Sequence, residues 1–191
     1  MPKLGMEPLR RASLVRATIA EIGRAQSLDV TVGQIAKTAG MSTALAHHYF
    51  GGKNQIFIAA MRHILTEYGV EVRRALAGAE TPRARAEAII RASFAESCFA
   101  PAVISAWMTL YAAARTNPQT RRLLTIYQSR LRANLTHALR PLTAQPEAHA
   151  ETLAALIDGL YLRAALSDAG CSDAAQETAL STLATLLGDP A

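Results

Sequence analysis

Cysteine is nearly absent: Cys98 and Cys171 are the two in 191 residues, too few for a disulfide framework or a thiolate zinc cluster. Both are expected to be reduced core thiols. Aromatic residues make up 5% of the chain, with one tryptophan, so a site built from aromatic rings has few to draw on. No apolar run approaches the ~20 residues that span a bilayer. The opening stretch MPKLGMEPLRRASLV holds neither the apolar segment nor the small-residue cleavage site of an export signal. The alternation of apolar and polar residues that marks strands is also missing. Half of the residues are hydrophobic, which excludes a disordered chain and, at this length, supplies a real core. What remains is a helical protein, expected in the cytoplasm and without a membrane partner.

Acidic residues are scarce in the first third. Residues 1–60 hold seven Lys or Arg against three acids, a net of +4, while the remaining 131 residues hold 13 against 12, a net of +1. A basic first third on a near-neutral body points that third towards a polyanion.

Alanine and leucine at helical spacing fill most of the chain, and Pro and Gly fall between the periodic stretches. Residues 8–25 place Leu9, Ala12, Leu14, Ala17, Ile19 and Ile22 on a helical period. Thr31 to Gln34 reads as a capping box opening a short helix. Gly40 interrupts it, and Ser42 can cap a second short helix to about Phe50. Gly51-Gly52 breaks the chain before a long helix from Lys53 to about Leu76. Thr81-Pro82 and Asn117-Pro118 each set a capping side chain before a proline suited to the first helical turn. Pro141 ends one helix, Pro146 opens the next, and Asp173 to Gln176 reads as the cap of the last. The expected fold is all-α, with about nine helices.

Residues 31–50 have the pattern of a helix-turn-helix. Two short helices crossing sharply need apolar facing residues, a small residue at the crossing and a turn residue that tolerates positive φ. Ile35, Ala39 and Met41 meet the first need, Ala36 the second and Gly40 the third. Leu45, Ala46, Tyr49 and Phe50 can pack back. Thr43, Ala44, His47 and His48 are left facing outward, small and polar as a helix lying in a DNA major groove requires.

The adjacent histidines have rival readings. A metal site on one helix wants ligands at i and i+4, whereas His47 and His48 are about 100° apart with no Cys, Asp or Glu at helical spacing. No acid is placed to orient either ring for catalysis, and no oxyanion-type glycine loop follows Ser42 or Thr43. No metal, cofactor or enzymatic site is therefore expected. A solvated histidine pair stays open beside DNA contact.

The run His47-His48-Tyr49-Phe50-Gly51-Gly52-Lys53, behind three basic N-terminal helices, resembles the TetR family of repressors. By that resemblance Thr43 and His47 are candidate base readers, Tyr49 and Lys53 candidate phosphate contacts, and Phe50 core. With the helix-start residues Thr31 and Ser42, and the outward Ala44 and His48, they complete the candidate DNA-binding set. The chain departs from the family pattern in carrying histidine where tyrosine is usual at 47 and 48, the place where operator preference is expected to be set. The resemblance extends through MPKLGMEPLRR, HYFGGKNQIF, MRHI at 61–64, ISAWMTLYAAA at 104–114 and TLAALIDGLYLRAAL at 152–166. These are similar to a subgroup of the family that responds to choline. It implies control of choline uptake and glycine betaine synthesis, a small-molecule effector, palindromic double-stranded operator DNA, and a homodimer through the last two helices.

The residues of the body bear on the effector independently. A quaternary ammonium donates no hydrogen bond and is held by ring faces and an anion. Trp107 and Tyr111 lie at i, i+4 on one helix face; Phe94, Tyr127 and Tyr161 are further large rings of the body's helices. Ordinary bundle core is the competing reading of that pair. Asp158 stands in a helix that is apolar nearly all round, so it should be buried and hold a partner. An arginine from elsewhere or a ligand ammonium would serve. The expected division is a helix-turn-helix domain over 1–60 and a ligand-binding and dimerisation domain over 61–191. Two alternatives stay open: a TetR-type repressor of an efflux or catabolic operon with another ligand, and a helical interaction protein without a DNA role.

Overall fold

The computed structural model describes residues 6–26, 29–167 and 172–188, which form nine α-helices, one 3-10 turn and no strand. The helices are α1 (Met6–Ala25), α2 (Val32–Thr38), α3 (Thr43–Phe50), α4 (Lys53–Ala77), α5 (Pro82–Ser93), α6 (Pro101–Ala113), α7 (Pro118–Leu139), α8 (Pro146–Ala165) and α9 (Ser172–Leu186). The 3-10 turn, Glu96–Phe99, joins α5 to α6. No single helix among the described residues is long and apolar enough to cross a membrane.

The starts and stops follow from local chemistry. Thr31 accepts from the Gln34 amide at 3.2 Å, and the Gln34 side chain accepts from the Thr31 amide at 2.7 Å, closing the capping box. Ser42 accepts from the Leu45 amide at 3.2 Å and Thr81 from the Ala84 amide at 3.1 Å. Asn117 accepts from two amides, those of Gln119 and Thr120. Gly40 and Gly51 sit at φ +67° and +76°, a region that costs an L-residue strain and costs glycine little. The Asp173 expectation needs correcting. α9 already starts at Ser172, so Asp173 lies inside its first turn, where its charge favours the helix N-terminus. Cys171 lies outside the described residues.

The helices form two compact units. The first comprises residues 1–66 and 100–124. Its core holds Leu14, Ile22, Ile35, Ile56 and Ala60, with Ala36 and Ala46 fully buried where α2 and α3 cross. Small side chains there let the two short helices approach closely. Leu9 belongs to the hydrophobic pattern of α1 yet is 63% exposed. Glu21 of α1 is buried, and its carboxylate accepts from the Thr38 hydroxyl at 2.6 Å and from Arg24. The Thr38 bond, aided by Arg24, holds the Glu21 carboxyl below the usual carboxylate range against the opposing effect of burial. α1 is thereby tied to the end of α2 by a charge-assisted bond.

The second unit comprises residues 67–99 and 125–191. Ile89, Ile90, Leu131, Leu135, Leu139, Leu153, Ile157, Ala179 and Leu183 are its buried apolar side chains, and α9 packs on both α8 and α5. This grouping differs from a division at residue 60, because α6 packs against α1 and belongs to the first unit. The expectation that α8 is buried all round also needs correcting. Ala155, Gly159 and Leu162 are exposed on it, as is Leu166 just past its end, so its apolar composition serves two faces, and one of them has no partner within this chain's described core. Cys98 is half-buried, and burial pushes its thiol up to about 11.

Candidate nucleic-acid interface and effector site

α3 separates its residues as a groove-binding helix must. Thr43, Ala44, His47 and His48 are exposed, Ala46 is fully buried, and Leu45, Tyr49 and Phe50 are half-buried against the rest of the unit. Ser42 is exposed at the start of α3. Its oxygen accepts from an amide, which leaves the hydroxyl proton free to meet a phosphate. The Thr31 hydroxyl accepts from the Gln34 amide and also donates to Oε1 of Gln34 at 2.9 Å, so its proton is already committed. Nδ1 of His47 lies 3.2 Å from the Gly51 carbonyl. A carbonyl only accepts, so Nδ1 carries the hydrogen and Nε2 is left as the outward atom. Lys53 begins α4 and is exposed. No group of three or more His, Cys, Asp or Glu among the described residues is placed to hold a metal ion.

Two arginines of α1 support this face, and sequence spacing gave no sign of them. The Arg11 guanidinium lies 5.1 Å from the Phe50 ring centre and 5.7 Å from that of Tyr49. Nη1 of Arg10 donates to the Tyr49 hydroxyl at 3.3 Å. Arg11 also pairs with Glu7 one turn earlier, at 2.9 Å, but that pair is exposed and adds little. A cation over two rings contributes about 0.5–1 kcal/mol at an exposed site. Arg11→Ala should therefore lower the melting temperature by about 1–4 °C, read by thermal denaturation. Arg11→Lys should recover part of the loss, and an unchanged melting temperature for the alanine variant would remove the clamp from the account.

In the second unit the predicted Asp158 and Tyr127 come together. The Tyr127 hydroxyl donates to Oδ1 of Asp158 at 3.0 Å, and the Gln128 amide approaches Oδ2 at 3.4 Å. Asp158 is half-buried rather than sealed in. The Tyr161 hydroxyl donates to the Cys98 carbonyl at 2.9 Å, and its ring packs 5.1 Å from Phe99. Phe94 is buried at the end of α5. Trp107 and Tyr111 do face one another on α6, with ring centres 5.8 Å apart; that helix lies in the first unit, apart in grouping from the other candidates. Tyr68 of α4 escaped the sequence reading. Its ring stands edge-on to Tyr127 at 5.8 Å and its hydroxyl is 2.9 Å from Oγ of Ser93. Burial raises the Tyr68 phenol well above its ordinary value, so it is a neutral dipole at physiological pH.

The model of the BetI-type transcriptional repressor C-terminal region matches residues 82–188, and that of the N-terminal region of tetR-family bacterial regulatory proteins matches residues 14–60. The chain belongs to the TetR family, with a BetI-type C-terminal region. Curated relatives agree. The HTH-type transcriptional regulator BetI of Brucella anthropi is 52% identical, covering 94% of this chain and 93% of its own length. That of Rhizobium meliloti is 48% identical, over 90% and 86%. A putative transcriptional regulator of Pseudomonas aeruginosa PAO1 superposes with a TM-score of 0.81 at 26% identity, covering 94% of this chain and 91% of that one. A putative transcriptional regulator from Saccharomonospora viridis, solved in complex with choline, superposes at TM-score 0.81 with 21% identity over 92% and 95%; at that identity the likeness concerns the fold. TetR-family regulators bind operator DNA and a small-molecule effector, typically as homodimers.

Proposed function

We propose that this TetR-family regulator represses genes for choline uptake and for glycine betaine synthesis, and that choline or a related quaternary ammonium is its effector. The observation that carries the effector half is the half-buried carboxylate of Asp158 beside the Tyr127 ring. A permanent cation with no hydrogen to donate is attracted by charge and by ring faces, and a carboxylate among tyrosines offers both. The relatives named BetI and the choline-bound neighbour support the same reading. The DNA half rests on the exposed small and polar face of α3, with His47 and Thr43 towards base edges and Tyr49, Ser42 and Lys53 towards phosphates. The domain roles proposed are DNA binding for residues 1–60 and effector binding with dimerisation for the helices that follow.

The homodimer is proposed through α8 and α9. Leu162 of α8 and Leu166 just past its end are 38% and 68% exposed, and a side chain at Gly159 would meet nothing within 4 Å in its own chain. A second copy laid on that face would cover them. Two-fold symmetry then requires a palindromic operator, with half-sites spaced by about one helical turn or a multiple.

The test is binding to an operator fragment over a range of salt, with and without choline. Neutralised phosphates make affinity fall steeply as salt rises. Lys53→Ala should weaken binding on every sequence and reduce the salt slope by about 1. His47→Ala should mainly alter preference among operator variants. If both variants bind all fragments as the wild type does, α3 is not the reading helix. If choline neither binds nor changes operator affinity, the effector assignment is lost.

A further inference from the structure

Asp158, Tyr127, Tyr68 and Ser93 stand on four different helices, α8, α7, α4 and α5, and form one connected series. Asp158 holds the Tyr127 hydroxyl, the Tyr127 ring meets the Tyr68 ring, and the Tyr68 hydroxyl meets Ser93. The direction of the last bond can be fixed. Ser93 has one hydroxyl proton and directs it to the Ile89 carbonyl at 2.9 Å. Its oxygen must then accept, so Tyr68 is the donor. Tyr68 is thereby held at both ends, by a hydrogen bond to α5 and by an edge-on ring contact to α7 whose geometry depends on where Tyr127 sits.

We propose that Tyr68 is the positioning residue through which a cation at Asp158 acts on α4. The proposal rests on the effector reading above and adds the route by which occupancy is felt. A quaternary ammonium drawn to the Asp158 carboxylate competes with the Tyr127 hydroxyl for the same oxygen. Its methyl groups also need ring face. Either demand rotates or displaces Tyr127. The Tyr68 ring follows because its contact is edge to face and its far end is pinned by Ser93. α4 is uninterrupted from Lys53 to Ala77, so Tyr68 lies about 22 Å along the axis from Lys53, at 1.5 Å per residue. A packed helix moves as a body rather than bending continuously. A two-state shift of α4 that both the cation and the operator bias is what thermodynamic coupling requires.

The experiment measures two quantities on the full-length protein. Choline affinity is read by calorimetry, and response is the ratio of operator affinities with and without saturating choline. The wild type should bind choline and show a response. Tyr68→Leu, which keeps bulk but removes the ring, should bind choline within about threefold of the wild type while its response ratio collapses towards one. Tyr68→Phe keeps the ring contact but loses the bond to Ser93, and its response should fall between those of the wild type and Tyr68→Leu. Tyr68→Met, a second variant without the ring, should likewise bind choline and lose response; it serves if Tyr68→Leu fails to fold. A Tyr68→Leu protein that responds as the wild type does overturns the relay and leaves the effector reading standing. A Tyr68→Leu protein that no longer binds choline makes Tyr68 a wall of the site and also overturns the relay. A wild type that binds no choline overturns both.

Discussion

On the effector assignment proposed above, Asp158→Asn should weaken choline binding at least about tenfold and leave operator binding intact. The substitution keeps shape and one acceptor, so the Tyr127 hydroxyl can still donate to the side-chain oxygen as it now donates to Oδ1 at 3.0 Å. The Gln128 amide would face an amide nitrogen instead of Oδ2, but that contact is already long, at 3.4 Å, and its loss is small. The fold should therefore survive. What goes is the negative charge. Two unit charges 4 Å apart interact by about 4 kcal/mol where the effective dielectric constant is about 20, and each 1.4 kcal/mol is about tenfold in affinity. Asp158 is half-buried, so solvent screens part of that attraction, and a loss of at least about tenfold is expected. Calorimetric titration with choline checks it, beside operator binding without effector. Choline affinity equal to that of the wild type would show that the carboxylate is not the anion that holds the cation.

Local chemistry was legible in the sequence, and contacts between helices were not. The capping box at Thr31, the caps at Ser42, Thr81 and Asn117, and the turn glycines at 40 and 51 are each decided by a few neighbouring residues. The division of α3 into an exposed set and a packed set follows from helical period alone. Period says which face is apolar, and not what lies across from it. Arg11 over Phe50 and Tyr68 against Ser93 join residues 39 and 25 positions apart, and nothing local marks them. For Asp158 the sequence called for a partner, and the Tyr127 hydroxyl is one. Composition misled on α8, because an apolar helix reads the same whether its second face meets this chain or is left exposed. The placement of α6 beside α1 is tertiary information of the same kind.

Gly23→Ala should destabilise the protein, although alanine is the better helix former. Gly23 lies within α1, and a Cβ there would stand 2.7 Å from the Ala102 Cβ and 3.2 and 3.3 Å from the Ala102 Cα and amide nitrogen. The neighbour is the first turn of α6, so relief needs a helix to move rather than a flexible side chain to swing. Two magnitudes compete. Replacing glycine by alanine inside a helix gains about 1 kcal/mol, and overpacking a close helix contact costs about 1–3 kcal/mol. The overpacking term wins or at worst cancels, since the two closest obstacles after the Cβ are backbone. A net loss of up to about 2 kcal/mol lowers the melting temperature by about 4–8 °C in a chain of this length. The diagnostic is the double variant. Ala102→Gly alone costs helix propensity, yet combined with Gly23→Ala it removes the 2.7 Å clash, so the pair should be less destabilising than the sum of the two singles. Strict additivity would mean that the α1–α6 seam is looser than its geometry indicates. A coupling of 0.5 kcal/mol or more, of the size expected for residues in contact, would instead mark this seam as the point where α6 bears on the DNA-binding helices, and operator affinity of the Gly23→Ala protein should then depart from that of the wild type in parallel with its stability.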